Sequence, residues 1–263
     1  ITTIAKDVQE GWSDGAPAGK AFLEPAPDNP VYRTPKEVTL ELSTFGYAVR
    51  LDGRPVKTPT RNELALPTQR LANAVVAEWD AVEKSIDPAR MPMTGFANAA
   101  IDRVGADRGT FAAAIAAYGE TDLMCYRAAA GEALAKRQAE MWDHWLNWAQ
   151  SRYDVSFVIV EGIMHQPRPE TTLEKLREAV AARGTFELAA MAKLAHLSGS
   201  LIATLAVVER AGAAQGIWNA ACLDELWQEE LWGADYWAQK NRTDRENEFL
   251  QAVQFLDLLG PST

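Results

Sequence analysis

A change of hydrophobic period near Pro67 constrains this chain more than any other feature. Before it, Val38, Leu40 and Leu42 alternate with Thr39 and Glu41, and Tyr47, Val49 and Leu51 alternate with Ala48 and Arg50. Period two is the pattern of a half-buried strand. Asp52-Gly53 follows, and this pair supplies the positive φ angles of a two-residue hairpin turn. Pro55 lacks a backbone donor and therefore favours an edge position. Phe45-Gly46 reads as a turn or bulge, and residues 63–66 as one more short strand. After Pro67 the apolar residues fall three and four apart. Thr68 is placed to cap a helix whose face carries Leu71, Val75, Trp79 and Val82, and Asp87-Pro88 is expected to end that element.

Further helices are expected near residues 96–104, 110–118, 132–153, 170–182, 186–210, 219–239 and 247–259. Residues 155–160 read as a strand or an extended connection. The 186–210 segment is apolar around most of its circumference, which predicts the central helix of a bundle. The spacing thus predicts an α+β fold. A small N-terminal mixed α/β domain spans 1–95, with an extended, Pro-rich lead-in over 11–35. A mainly α-helical bundle domain of about five helices spans 96–263. The boundary is expected between Ile86 and Thr110.

Composition narrows the function classes. A chain of 263 residues can bury a substantial core. A formal net charge of -10 repels phosphate backbones and anionic lipid surfaces, so no nucleic-acid partner and no membrane insertion are expected. The sequence holds no run of 18 apolar residues of the kind that spans a bilayer. Its two cysteines, Cys125 and Cys222, lie far apart without a partner motif, which argues for a reducing compartment. The first ten residues lack the basic flank and apolar block of a secretory signal. A bacterial cytoplasmic location is expected, with the mitochondrial matrix after presequence removal as the alternative.

Catalytic and metal motifs are missing from the sequence. His144, His165 and His196 have no metal-ligand spacing, and no Cys pair has zinc spacing. Phosphate-loop, dinucleotide and Gly-x-Ser-x-Gly fingerprints do not occur; Leu197-Ser198-Gly199-Ser200 lies inside an apolar helical run. No cofactor and no metal are expected. The enzymatic alternative is a hydrolase-type activity on the acidic segment near Glu225, aided by Tyr118 or His196. The carboxylates there, like Glu120 and Asp122, support that activity only weakly, because carboxylates at helical spacing are usually a solvated face.

Nine tryptophans are many for this length. Trp79, Trp142 and Trp145 are expected in the core. Trp227, Trp232 and Trp237 lie in a segment that also carries Asp224, Glu225, Gln228, Glu229, Glu230 and Asp235. Large aromatics beside oriented polar groups suit a protein-binding surface.

Five segments, in order, carry a resemblance: Leu51-Asp52-Gly53-Arg54-Pro55-Val56-Lys57-Thr58-Pro59 with Leu64-Ala65-Leu66-Pro67-Thr68; Val76-Ala77-Glu78-Trp79-Asp80 with Ile86-Asp87-Pro88 and Met91-Pro92-Met93-Thr94; Asn98-Ala99-Ala100-Ile101-Asp102-Arg103-Val104; Tyr118-Gly119-Glu120-Thr121-Asp122-Leu123-Met124-Cys125-Tyr126-Arg127; and Glu225-Leu226-Trp227-Gln228 leading to Trp232-Gly233. Together they resemble the ATP synthase assembly chaperones that bind the alpha subunit of the catalytic head. Trp227 stands where that family often has another aromatic. The resemblance implies an ATP-independent, non-catalytic chaperone that prevents aggregation of the free alpha subunit until the beta subunit joins. It also implies an N-terminal mixed domain and a C-terminal helical domain. The partner-binding residues expected on this basis are Glu225, Trp227, Gln228, Glu229, Trp232 and Asp235. A holdase needs only a complementary, releasable surface, and the chain is expected to be a monomer when free.

Overall fold

The computed structural model describes residues 37–260, apart from 84 and 163. The expected lead-in over 11–35 lies outside these residues. Two compact units emerge. Among the described residues, the first comprises 37–108, with Gly184–Ala190 and 254–260. The second comprises Gly109–Arg183 and Met191–Val253.

In the first unit, β1 (Val38–Ser43) and β2 (Gly46–Leu51) form an antiparallel hairpin in the register Val38↔Leu51 to Ser43↔Gly46. Asp52 and Gly53 have φ of 49° and 76°, the conformation expected of an Asp-Gly hairpin turn. They lead into β3 (Arg54–Pro55), which pairs with the end of β2, while β4 (Ala65–Leu66) pairs with its beginning. Pro55 thus sits in an exposed outer strand, as its missing donor requires. Leu42 departs from the expected alternation: it lies near the β1–β2 turn and is exposed.

Gly46 opens β2 at φ 122°, and a Cβ added to it would lie 2.3 Å from the Leu66 carbonyl oxygen. Both facts demand glycine, since the neighbour is backbone and cannot swing aside. Gly46→Ala is expected to destabilise the chain by about 2 kcal/mol, read as a lower urea midpoint at unchanged slope.

Helix α1 (Gln69–Asp80) begins at Thr68, whose hydroxyl accepts from the Leu71 amide at 3.2 Å and donates to the Leu258 carbonyl at 2.8 Å. It buries Leu71, Ala72, Val75 and Trp79. The helix stops at Asp80, earlier than expected, and Val82 is buried from the following turn. Helix α2 (Pro92–Ala99) passes into a π-helical turn over Ala100–Val104. Its start is earlier than expected because Pro92 is pre-set for a first helical position. Phe96 and Phe186 both pack against Phe255, with ring centroids 5.1 and 6.3 Å away.

Two carboxylates staple this unit. Glu78 accepts from the Met93 and Thr94 amides at 2.7 and 2.8 Å and from the Thr94 hydroxyl at 2.7 Å. It thereby caps α2, whose own Met91 supplies no side-chain cap. Burial pushes its carboxyl above the usual range against those bonds. Asp102, on the π turn, accepts from the Thr58 hydroxyl at 2.6 Å, the Thr60 amide at 3.0 Å and the Asn62 side chain at 3.0 Å. Partial burial works to raise Asp102, but these bonds outweigh it and hold the carboxyl below its ordinary value.

The second unit contains α3 (Arg108–Ala116, from Gly109), β5 (Tyr126–Arg127), α4 (Ala133–Tyr153), β6 (Val160–Glu161) and α5 (Glu170–Ala181). Strands β5 and β6 pair in parallel. Of the expected 155–160 segment only Val160 belongs to a strand, and residues 155–159 have no regular secondary structure. The 186–210 segment is two helices rather than one: α6 (Thr185–Ser198) and α7 (Leu201–Val208). Gly199 has φ 63° and Ser200 caps α7, accepting from the Ala203 amide at 3.0 Å. The break is held by Asp122, which accepts from the Ser200 hydroxyl at 2.8 Å, the Ile202 amide at 2.9 Å and the Met124 amide at 3.1 Å.

The expected pair of final helices is three: α8 (Ala214–Ala221), α9 (Leu223–Trp232) and α10 (Tyr236–Leu259). Gly233, at φ 90°, ends α9, and Asp235 starts α10 by accepting from the Ala238 amide. The helical region consequently holds more helices than the five expected. Its core centres on Trp142, Trp218 and Phe249, all fully or nearly fully buried. Trp142 donates its indole N–H to the Ala220 carbonyl at 2.7 Å. Trp79, Trp142 and Trp145 are all buried, as the sequence predicted. With 63% of the described residues helical and a small sheet ahead of the helical part, the fold class is α+β.

Candidate functional site

Helix α9 begins with Asp224 and Glu225 in its first turn, where the positive end of the helix dipole favours carboxylates. Only Leu223 is fully buried on it, so the helix presents most of its circumference outward. The turn at Gly233 then brings α10 back beside α9, with an open cleft of about 400 Å³ along the two. Asp224, Glu225, Gln228, Glu229, Trp232, Gly233, Asp235, Ala238 and Arg242 line it.

The acidic residues expected to face a partner are mostly engaged within the chain. Glu225 accepts from the Arg245 guanidinium at 2.5 Å. Glu229 pairs with Arg242 and accepts from Gln239, and these bonds hold its carboxyl below the usual range. Glu230 receives both terminal nitrogens of Arg137, one at 2.7 Å. Asp224 accepts from the Gln138 side chain at 2.8 Å, and Asp235 from the Ala238 amide at 2.8 Å. A face that reads as free charge in the sequence is thus largely an ion-paired lattice between α9, α10 and α4.

Of the six expected partner-binding residues, five line the cleft: Glu225, Gln228, Glu229, Trp232 and Asp235. Trp227 is not among the lining residues. It is half-buried, with the Arg137 guanidinium over its ring at 5.6 Å. Trp232 is 83% exposed. Beside it, Leu231, Tyr236 and Trp237 are 58%, 68% and 72% exposed. These exposed side chains contrast with the packed tryptophans of the core. Leu231 and Tyr236 escaped the sequence reading, which ran one helix through 219–239. The available signal was Gly233 followed by Asp235, a stop and a new cap within three residues.

The catalytic alternative finds no geometric support. Neither Tyr118 nor His196 lines the cleft. Burial pushes the Tyr118 hydroxyl above its ordinary range, away from general-base use at neutral pH. Burial and the neighbouring Lys193 lower the His196 imidazole, with Glu248 opposing them. Asp122 is consumed in holding α7. Cys125 and Cys222 are buried, and burial pushes both thiols up to about 12, so neither is a nucleophile at neutral pH. Among the described residues no cluster of His, Cys, Asp and Glu has the makings of a metal site, and no helix is long and apolar enough to cross a membrane.

The model of the ATP12 chaperone protein family matches residues 33–150. The structure of Atp12 from Paracoccus denitrificans is 38% identical to this chain, with a TM-score of 0.83 over 87% of this chain and 98% of that one. An aspartate-to-lysine mutant of the same protein matches equally, at 38% identity and TM-score 0.83, over 87% of this chain and 97% of that one. The Atu1473 protein of Agrobacterium tumefaciens is 31% identical, with a TM-score of 0.82 over 98% of this chain and 97% of that one.

The chain belongs to the ATP12 chaperone family. It is an ATP synthase assembly chaperone, not an enzyme. Three carboxylates of the resembling segments now have physical roles, because Glu78, Asp102 and Asp122 each tie one segment to backbone elsewhere in the same unit.

Proposed function

We propose that this ATP12 chaperone holds the free alpha subunit of the ATP synthase catalytic head and uses the α9–α10 face to do so. The observation that carries this reading is the row of exposed large side chains, Leu231, Trp232, Tyr236 and Trp237, beside a cleft lined by Glu225, Gln228, Glu229 and Asp235. A ring subunit without its neighbours exposes apolar interface that aggregates unless covered. Covering it needs on the order of 800 Å² per partner and an affinity below that of the final neighbour. No bond is made or broken, and release comes by competition when the beta subunit arrives.

The test is light scattering of purified alpha subunit without ATP, followed by gel filtration. The chaperone is expected to suppress aggregation and to co-elute with its client. Unchanged scattering with separate elution would remove the reading. Glu225→Lys places a cation against Arg245. Because that pair is partly exposed, stability is expected to change by less than about 1 kcal/mol. Client retention is expected to fall at least tenfold. Full retention by that variant would remove Glu225 from the site.

A further inference from the structure

The α9–α10 turn carries its exposed row on a stretch of chain with no core of its own. Among the described residues, none from 224 to 248 is buried, and the stretch runs between two that are, Leu223 and Phe249. Apolar packing therefore does little to fix the placement of Leu231, Trp232, Tyr236 and Trp237, and a segment without such packing opens locally at small free-energy cost. The ties between the two helices are polar. Glu225 and Glu229, one turn apart on α9, pair with Arg245 and Arg242, one turn apart on α10 and met in reverse order, as an antiparallel helical hairpin requires. Glu230 adds a tie from α9 to Arg137 of α4.

Arg245 stands apart from the cleft. It is half-buried and is not among the lining residues, and its guanidinium lies 5.7 Å from the ring centre of Trp218, in the core. From that footing it donates to Glu225, which does line the cleft. From this arrangement, and resting on the reading of α9–α10 as the client face, we infer that Arg245 is a positioning residue for client binding. It touches no client atom. It holds Glu225, and through it α9, so that the exposed apolar row is presented in one arrangement. Glu225 then serves the client by staying paired with Arg245, not by offering its carboxylate to a client cation, and the contact itself is made by Leu231, Trp232, Tyr236 and Trp237.

The test uses the full chain, with retention of purified alpha subunit on gel filtration and hydrogen–deuterium exchange as readouts. Arg245→Glu sets two carboxylates against each other. It is expected to raise exchange over residues 224–242, to leave the protection of α4 and α7 unchanged, and to lower alpha retention about tenfold. Adding Glu225→Lys to Arg245→Glu restores the pair with the charges exchanged. Exchange is expected to return, and retention to come within about threefold of wild type, short of full recovery because the lysine sits at the positive end of the α9 dipole. A second variant needs no charge at either position: Glu225→Cys with Arg245→Cys, bridged by a short bismaleimide. Cys125 and Cys222 are buried with thiols pushed up to about 12, so they do not compete for the reagent. The bridged chain is expected to retain alpha as the charge-swapped one does, and the unbridged chain to lose it as Arg245→Glu does. Wild-type retention by Arg245→Glu, or unchanged exchange over 224–242, overturns the inference. So does failure of both the swapped and the bridged chain to recover retention, because the Glu225 carboxylate then meets the client directly; the alpha-subunit reading is left standing. If the wild type retains no alpha, that reading is removed and exchange alone decides. A rise in Arg245→Glu that the swap reverses keeps Arg245 as the tether of the hairpin, and no rise overturns it.

Discussion

Trp142→Ala is expected to destabilise the second unit by about 3–5 kcal/mol. Trp142 is completely buried on α4. Its removal leaves a cavity in the centre of the helical core, where packing has no slack to close it. Two polar consequences add to the cavity. The Ala220 carbonyl loses the indole donor at 2.7 Å. Arg127, itself buried and lying over the indole at 5.1 Å, loses the aromatic face that helps to hold its charge. Trp142→Phe keeps most of the volume and forfeits the hydrogen bond, so it is expected to cost about 1–2 kcal/mol. Guanidinium denaturation followed by far-UV circular dichroism measures both. A loss below about 1 kcal/mol for the alanine variant would mean that the core recloses around the gap.

Asp122→Ala is expected to cost about 3–4 kcal/mol at pH 7. The carboxylate is wholly buried and satisfies the Ser200 hydroxyl and the Ile202 and Met124 amides. Alanine leaves those donors buried and unpaired at the start of α7. The pH dependence adds a second, independent reading. Burial pushes the Asp122 carboxyl up from 3.8 to about 6, against the hydrogen bonds from Ile202, Ser200 and Met124. A folded-state pKa above the unfolded one favours the protonated native form. That contribution is fully present below the unfolded value and is lost as pH rises through about 6. The stability gap between wild type and Asp122→Ala should therefore widen as pH falls from 7 to 4, by up to roughly 3 kcal/mol. Denaturation series at pH 4, 5, 6 and 7 check it. A gap that narrows on acidification would mean that the bonds to the carboxylate outweigh its burial.

The same residue explains where pattern reading succeeded and where it failed. Hairpin β1–β2–β3 was legible because Asp52-Gly53 is a local signal whose conformational demand is met by those two residues alone. Helix α4 was legible within one residue because its apolar face repeats over many turns. The division of 186–210 into α6 and α7 was not legible. Its apolar character is continuous, and the break is fixed by a carboxylate distant in sequence, Asp122. Likewise the sequence placed acids and tryptophans together on 219–239, but not their states. Arg137, Arg242 and Arg245 neutralise most of the acids, and only the fold brings those cations within reach.

By itself the sequence determined the order of the elements, the class of fold and the family, since local periodicity, turn chemistry and the spacing of five motifs are properties of the chain in one dimension. Tertiary structure alone decided which of the described tryptophans face water and which carboxylates are staples. Those are questions of what lies across a few ångströms of space, and burial and Coulomb attraction act over that distance rather than along the backbone.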